Sequence, residues 1–339
     1  MQINANLFFT GAAGYIGSHT AYYFLKNSDC RIVIFDNLSS GFRENVEFLM
    51  QTFPQRVEFI EGDLGDSMAL ENAFKSYCFD AIIHFAASLI VQESVQNPLK
   101  YFQNNVANTT NLLQIAQKFA TNRFLFSSTA AVYGEPKEHS PIQESAIPSP
   151  INPYGESKLM IEKILHALEV ANPNFKSVIL RYFNVAGALM DKQGALGQRT
   201  KNATHLIKVA CECATNKRAK MQIFGSDYET RDGTCIRDYI HIDDLASAHF
   251  FALQSLLESQ TSEIYNVGYG KGFSVKEVID CVKEVSGKDF VVESTKRREG
   301  DPSVLVSDNH KILTKTKWQP QFNQLETICK SAYLWEEKL

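Results

Sequence analysis

The sequence predicts an α/β protein: a doubly wound parallel sheet with helices on both faces, joined to a smaller C-terminal lobe partly interleaved with it. Three observations carry that expectation. Through the first half, short apolar runs alternate with segments of helical periodicity. The runs are rich in β-branched and aromatic residues and lack polar alternation, as strands buried on both faces do. A glycine-rich turn follows the first run directly, the arrangement of a Rossmann sheet.

The elements follow in order. NLFFT (6–10) enters the glycine turn, and helical periodicity runs over 15–27. RIVIF (31–35) and RVEFI (56–60) read as the next strands, the second followed by a helix over 67–76. DAIIHF (80–85), RFLFSS (123–128) and SVILRYF (177–183) continue the series, with helices over 98–120 and 154–171 between them. After 183 the pattern changes. NVAGALMDKQGALGQRTKNATH is turn-rich and aperiodic, and reads as loops over a cleft. Helical character returns at 204–215, 242–258, 274–286 and 322–337, and EIYNVG (263–268) reads as a strand returning to the main sheet. The expected division is 1–183 plus 238–267 as a dinucleotide-binding domain, with 184–237 plus 268–339 as the second lobe.

Bulk composition narrows the function classes. At 339 residues the chain can hold one large α/β domain or a large domain plus a smaller lobe. Hydrophobic content of 44%, charged content of 21% and a net charge of −4 give no basic footprint for nucleic acid and no polybasic run for a membrane surface. The seven cysteines show no framework. Cys211 and Cys213 form a C-x-C pair without the second pair a metal site needs, so they read as buried free thiols and no metal is expected. No run is long enough to span a bilayer and no secretory signal is evident, so a cytoplasmic location is expected.

The turn TGAAGYIGSHT places Gly11, Gly14 and Gly17 between a strand and a helix. Unpaired backbone N–H groups and the positive end of the helix dipole there suit a pyrophosphate, and side chains at the glycines would obstruct it. Asp36 ends the second strand, 19 residues after Gly17. A carboxylate at that place accepts hydrogen bonds from ribose hydroxyls and repels a 2′-phosphate, which favours NAD over NADP. The plainer alternative is that Asp36-Asn37 only serve as turn residues. Asp63, after the third strand, could hold the adenine amino group or cap the helix that follows.

Tyr-x-x-x-Lys occurs three times: Tyr22/Lys26, Tyr133/Lys137 and Tyr154/Lys158. Tyr22 and Lys26 lie on the helix leaving the glycine turn, and read as structural. Pro136 disfavours a helix through the second pair. The third pair is different, because Asn152 is a good N-cap and Pro153 fits the first helical position. Tyr154 and Lys158 therefore share one side of a helix's opening turns. The segment follows strand five, and this architecture places ligands at strand C-termini. A free phenol is a poor base at neutral pH, but the Lys158 ammonium and a positively charged oxidised nicotinamide would both favour the phenolate. Lowering it by ~3 units takes about 4 kcal/mol. Thr129, at the end of strand five, could share the proton with a substrate oxygen.

These stretches carry a resemblance. TGAAGYIGSHT, DNLSSG, HFAA, FSSTAAVYGE, NPYGESK, RYFNVAG, IFGSDYETRDGTCIRDYIHIDDLA, YNVG and REGDPS make the chain similar, along essentially its whole length, to the extended short-chain dehydrogenase/reductases, and within them to the UDP-glucose 4-epimerases. The resemblance implies that Tyr154 takes the proton of a sugar 4-hydroxyl while hydride passes to tightly held NAD. The 4-ketose then turns over, still tethered by its diphosphate, and hydride returns to the opposite face. It implies cofactor contacts at Gly11, Gly14, Tyr15, Ile16, Gly17, Asp36, Asn37, Asp63, Leu64, Phe85, Ala86, Ala87, Asn105, Tyr154, Lys158 and Tyr182. It makes the second lobe the nucleotide-sugar-binding part, with Asn184, His205, Leu206, Phe224, Arg237, Arg298 and Asp301 on the substrate. Phe224 matches a ring beside uracil, Arg237 and Arg298 match arginines on the diphosphate, and Asp301 matches a carboxylate on the uridine ribose. Without the resemblance, Arg237 beside Asp238 and Arg298 beside Glu299 would read as surface ion pairs.

Four positions depart from the pattern: Thr129 replaces serine, Ala131 replaces threonine, Leu89 stands where some members have lysine, and His205-Leu206 where some have Asn-Leu. The rival readings separate on single residues. A nucleotide-sugar 4,6-dehydratase needs an acid and a base after the strand-five threonine, where this chain has Ala130 and Ala131. The same alanines weigh against a decarboxylase. A non-catalytic NAD-binding regulator would not need Tyr154 and Lys158, and a net 4-keto reductase would use exchanging NADPH, which Asp36 opposes. Leu305 matches the position that tunes acceptance of N-acetylated sugars and, at intermediate size, implies partial acceptance of UDP-GalNAc and UDP-GlcNAc. The resemblance also implies a homodimer in which 98–120 and 154–171 pair as a four-helix bundle.

Overall fold

The computed structural model describes residues 3–135, 141–191, 194–200, 203–298 and 301–339. Pro136, Lys137 and Glu299 lie outside the described residues.

Among the described residues, seven parallel strands form the central sheet: β1 (Asn6–Thr10), β2 (Arg31–Asp36), β3 (Val57–Glu61), β4 (Ala81–His84), β5 (Arg123–Thr129), β6 (Lys176–Tyr182) and β10 (Glu263–Val267). Their order is β10-β6-β5-β4-β1-β2-β3, so all seven strands expected from the sequence lie in one sheet. Both faces are covered, which is why the strands read as unbroken apolar runs. In β1, Leu7 and Phe9 join the cluster holding Phe24 and Leu25 of helix α1 (Tyr15–Asn27), while Phe8 joins the opposite cluster with Phe74. On the first face lie α1, α2 (Arg43–Thr52) and α9 (Ile242–Ser259); on the second lie α3 (Ser67–Ser76), α6 (Asn108–Lys118) and α7 (Pro153–Ala171).

The helix expected over 98–120 is composite. α4 (Val91–Gln96) precedes it, α5 (Pro98–Tyr101) opens it, and a π-helical turn (Phe102–Ala107) separates α5 from α6. Such turns recur at functional sites, and this one carries Asn105.

The second lobe is built on helices α8 (Leu206–Ala214), α10 (Val275–Ser286) and α12 (Leu325–Lys338), which share one core; the short α11 (His310–Lys315) packs on β10 instead. Among the described residues, six strands went unforeseen: β7 (Asn184–Ala186), β8 (Lys220–Phe224), β9 (Ile236–His241), β11 (Gly272–Ser274), β12 (Val291–Thr295) and β13 (Val304–Leu305). Most are two to five residues long, and β9 hides its character behind the buried polar side chains Arg237, Asp238 and His241. β9 pairs with β7, β11 and β13 in a small second sheet. The domain boundary expected at 238 therefore falls inside a strand of that second sheet, because polar residues masked its continuity; α9, directly after it, packs on α1 of the first face. The loop before α8 is clasped by α12, whose Trp335 ring leaves no room for a Cβ at Gly197.

All seven cysteines are free, and five of them, Cys211 and Cys213 included, are buried. Among the described residues, no helix is long and apolar enough to cross a membrane.

Candidate active site

Strand order reverses between β1 and β4, and the crevice at their C-terminal ends is where open α/β sheets take ligands. Gly11 follows β1 with a φ of +73°, and a Cβ there would lie 2.5 Å from the Ala86 backbone nitrogen. A Cβ at Gly17 would meet the Gly11 carbonyl oxygen at 2.6 Å, so the turn and helix α1 pack without side chains between them. Gly14 is the N-cap of α1 with no side-chain cap, leaving first-turn N–H groups free for an anion. Tyr15 donates its hydroxyl to the Gly187 carbonyl at 2.6 Å, and Ile16 packs on the core.

The Asp36 carboxylate is buried and faces this turn: Ala13 N donates to Oδ2 at 3.0 Å and Leu38 N to Oδ1 at 2.8 Å. Burial pushes its pKa up, and the two backbone donors pull the other way. Each oxygen keeps a lone pair for a ribose hydroxyl. Asn37 donates to Asp63 Oδ2 at 2.6 Å, and Gly65 N donates to Oδ1 at 2.7 Å. Asp63 thus orders the turn after β3, whereas the helix that follows is capped by Asp66. Leu64 is buried, and its carbonyl accepts from Asn111 at 2.6 Å. Phe85, Ala86 and Ala87 leave β4 half-buried beside Gly11. Asn105 is fully engaged, receiving Ser88 N at 2.8 Å and donating to the Ser88 carbonyl and to Ser157 Oγ, each at 3.0 Å. Glycine turn, buried acid and uncapped helix together fit a dinucleotide.

The three tyrosine–lysine pairs separate as expected where they are described. Tyr22 donates to Asp191, and the Lys26 ammonium lies 5.4 Å from its ring centre, so this pair is structural. Tyr133 is buried, donating to Asn266 Oδ1 at 2.6 Å and accepting from Arg181 at 3.0 Å. The third pair opens α7, with Asn152 Oδ1 accepting from Gly155 N at 2.9 Å and Pro153 at the first helical position.

Tyr154 is half-buried and hydrogen-bonded to Thr129, the last residue of β5. Thr129 Oγ1 also accepts from Ala131 N at 3.1 Å, which fixes its rotamer. Lys158 is buried, its Nζ donating to the Ser127 carbonyl at 2.8 Å and lying 4.9 Å from the Phe126 ring centre. Tyr182 is buried next door, its hydroxyl paired with Ser127 Oγ. Burial pushes the Tyr154 phenol up to about 12 against the pull of the Thr129 hydrogen bond. Burial also draws the Lys158 amine down to about 7, with Glu162 opposing. These groups alone, without the charge of an oxidised nicotinamide beside them, leave the phenol above its ordinary value. A cation buried this deeply forfeits much of its own charge before it can act on a neighbour.

The second lobe gathers the remaining candidates. Arg237, on β9, is buried and forms an ion pair with Asp301. Asp238 is not its partner: that carboxylate is buried and accepts from Tyr269 N at 2.9 Å and Ser307 Oγ at 2.6 Å. The Arg298 guanidinium lies 3.7 Å from the Phe224 ring centre. Asn184, exposed on β7, is hydrogen-bonded to Tyr239. His205 is the N-cap of α8 and sits 3.2 Å from Gln198; Leu206 begins the helix. Leu305 pairs with Arg237 across β13 and β9 and packs on the cluster of Ala130, Tyr133 and Leu159. Ala130 is buried, Ala131 half-buried, and Leu89 exposed.

Sequence reasoning missed the support behind Lys158: the Ser127 carbonyl, Glu162 with Arg181, and His84, whose ring is held between Thr10 at 2.6 Å and Thr109 at 2.8 Å. Only Glu162 carried a signal, standing one helical turn after Lys158 on the same face.

Comparison with known proteins agrees with this geometry. The profile of the NAD dependent epimerase/dehydratase family matches residues 7–268. A UDP-glucose 4-epimerase of Azospirillum brasilense is 46% identical over 97% of this chain and 91% of its own length. The structure of a UDP-Glc/GlcNAc 4-epimerase from Campylobacter jejuni is 54% identical, covers 99% of this chain and 100% of its own, and superposes with a TM-score of 0.86. A UDP-glucose 4-epimerase from Stenotrophomonas maltophila, solved with NAD and formylated UDP-arabinopyranose, is 33% identical over 99% and 98% of the two chains, with a TM-score of 0.94.

Proposed function

The chain belongs to the NAD-dependent epimerase/dehydratase family, and from that premise we propose that it interconverts UDP-galactose and UDP-glucose at C4 with NAD retained throughout. The observation that carries the reading is Tyr154 joined to Thr129 at the end of β5, with Lys158 buried one turn behind.

Bound NAD would supply a hydride acceptor that gives the hydride back, and a positive charge beside the phenol. The chain's own residues do the rest. Tyr154 takes the proton of the 4-hydroxyl and returns it to the 4-keto oxygen, and Thr129 shares that hydrogen bond. Lys158 favours the phenolate in proportion to the charge it carries. Gly11, Gly14 and Gly17 give the pyrophosphate its close approach, flanked by Tyr15 and Ile16. Asp36 receives the adenosine ribose, and Asn37, Asp63 and Leu64 line the adenine side. Phe85, Ala86, Ala87, Asn105 and Tyr182 line the remainder of the cleft.

In the second lobe, Arg237 and Arg298 hold the diphosphate, where guanidinium forks suit phosphate oxygens. Phe224 packs on uracil and Asp301 receives the uridine ribose, while Asn184, His205 and Leu206 close the diphosphate side. Ala130 and Ala131 carry no proton, which disfavours the elimination of water that a dehydratase performs.

Acceptance of UDP-GalNAc and UDP-GlcNAc is supported by the intermediate size of Leu305 and by the Campylobacter relative, described as acting on both Glc and GlcNAc forms. A kcat/KM ratio for UDP-GalNAc over UDP-galactose below about one in a thousand overturns it. The same reading includes two lobes divided near residue 183, a cytoplasmic protein, and a homodimer through α5–α6 and α7, which sedimentation as a monomer would reject. The decisive test of the main reading is to incubate the purified protein with UDP-galactose, add no cofactor, and assay UDP-glucose. Conversion is expected, and its absence refutes the proposal.

A further inference from the structure

Behind the tyrosine and lysine lies a buried ion pair that the proposed reaction does not itself use. Glu162 and Arg181 each have a side chain 4% exposed. Glu162 Oε1 accepts from Ser128 Oγ at 2.5 Å and from Arg181 Nε at 3.0 Å, and Arg181 Nη1 donates to the Tyr133 hydroxyl at 3.0 Å. A buried pair of this kind is poor evidence for stability, since apolar residues of similar volume often replace it without loss. Its placement is the informative part. Glu162 stands one turn after Lys158 on α7, and consecutive residues of β5 take the two side chains: the Ser127 carbonyl accepts Lys158 Nζ, and Ser128 Oγ binds Glu162.

We propose that Glu162, seated on Arg181, is a positioning residue that supplies the counter-charge to Lys158 in the proposed epimerase. The inference rests on that reading only for its kinetic consequence. The groups facing Lys158 leave Glu162 that role. Tyr154 shares α7, and Tyr182 and Arg181 come from β6. From β4 comes His84, whose burial pushes it down to about 3 and keeps it neutral. From β5 come the Ser127 carbonyl and the Phe126 ring, which do not titrate. The π turn contributes the neutral Asn105, through Ser157. Burial lowers the lysine, and the Glu162 charge is what opposes it. Arg181 in turn seats the Glu162 carboxylate through their buried ion pair.

Two readouts test this. The first is the titration of Lys158 followed by NMR of its 13Cε label, which needs no turnover. The second is the pH profile of kcat. Glu162→Gln removes the carboxylate charge, so the amine loses its proton at lower pH. The Lys158 midpoint and the alkaline side of the profile should both move about one unit toward acid, with KM for UDP-galactose within about twofold, and Glu162→Asp should restore both. Because Glu162→Gln strands Arg181 and can unfold the protein, the paired Glu162→Met/Arg181→Met variant is made alongside it. A folded Glu162→Gln whose Lys158 midpoint matches wild type overturns the proposal, as does a folded paired variant whose midpoint is not below that of Arg181→Met, the control that removes the Arg181 cation alone. A wild-type protein that converts no UDP-galactose removes the epimerase reading instead, and leaves the NMR result to decide the role of Glu162.

Discussion

Leu305 stands directly across from Arg237 in the parallel pairing of β13 with β9. The residue proposed to meet the sugar 2-substituent is thus fixed to the strand that carries a proposed diphosphate anchor. Replacing Leu305 with tyrosine adds bulk beside a clamped substrate, so discrimination between sugars should change more than general binding. Leu305→Tyr is expected to lower kcat/KM for UDP-GalNAc by about tenfold or more, within the ~1–3 kcal/mol that one pocket group controls. Turnover of UDP-galactose should stay within about threefold, as coupled assays of both substrates would show.

Tyr154→Phe keeps the ring and removes the proton carrier. Turnover of UDP-galactose should fall by about 10²–10⁴, the span of a positioned acid–base group, while NAD stays bound. Thr129→Ser keeps the hydroxyl bonded to Tyr154 and should retain most activity, whereas Thr129→Val should not. A Thr129→Val variant at wild-type rate would remove that residue from the proton path.

Lys158→Met should stabilise the fold while abolishing efficient turnover. Burial draws the native amine down to about 7 from 10.5. Between those values the native protein binds fewer protons than the unfolded chain, so wild-type stability climbs with pH through that window. Below it the burial penalty is felt in full. Removing the lysine should therefore raise Tm most below about pH 7, by roughly 3–6 °C, with the gain fading toward 10.5. Thermal melts at acidic, neutral and alkaline pH check both the sign and the window.

Gly11→Ala would place a Cβ 2.5 Å from the Ala86 backbone in a left-handed conformation. The expected cost is about 1–3 kcal/mol of stability, together with loss of retained NAD, measured by acid release and absorbance. Asp36→Ala leaves Ala13 N and Leu38 N without their acceptor and should lower NAD content with a smaller drop in Tm.

The central sheet was legible because its strands are buried on both faces and so read as continuous apolar runs. The second sheet was not, since β13 has two residues and β9 buries Arg237, Asp238 and His241 among hydrogen bonds formed only in the folded lobe. Helix α2 was missed because Arg43, Glu44 and Glu47 dilute its apolar stripe. Of the candidate site, Tyr154, Lys158 and the glycine turn declared themselves through spacing and caps. The pairing of Arg237 with Asp301 joins residues 64 apart and left no local trace. The electrostatics also had to await coordinates, because the depth at which Lys158 is buried decides how much charge it keeps.

Strand β10 joins the sheet beside β6 only after the chain has made its excursion through β7, α8, β8, β9 and α9. A fragment stopping at residue 183 would expose the ladder of β6 along its whole length, an open edge able to recruit another copy. The first half is therefore not a separable module. Expressed apart, the first half should aggregate, because the sheet is completed beside β6 only by a chain that reaches β10.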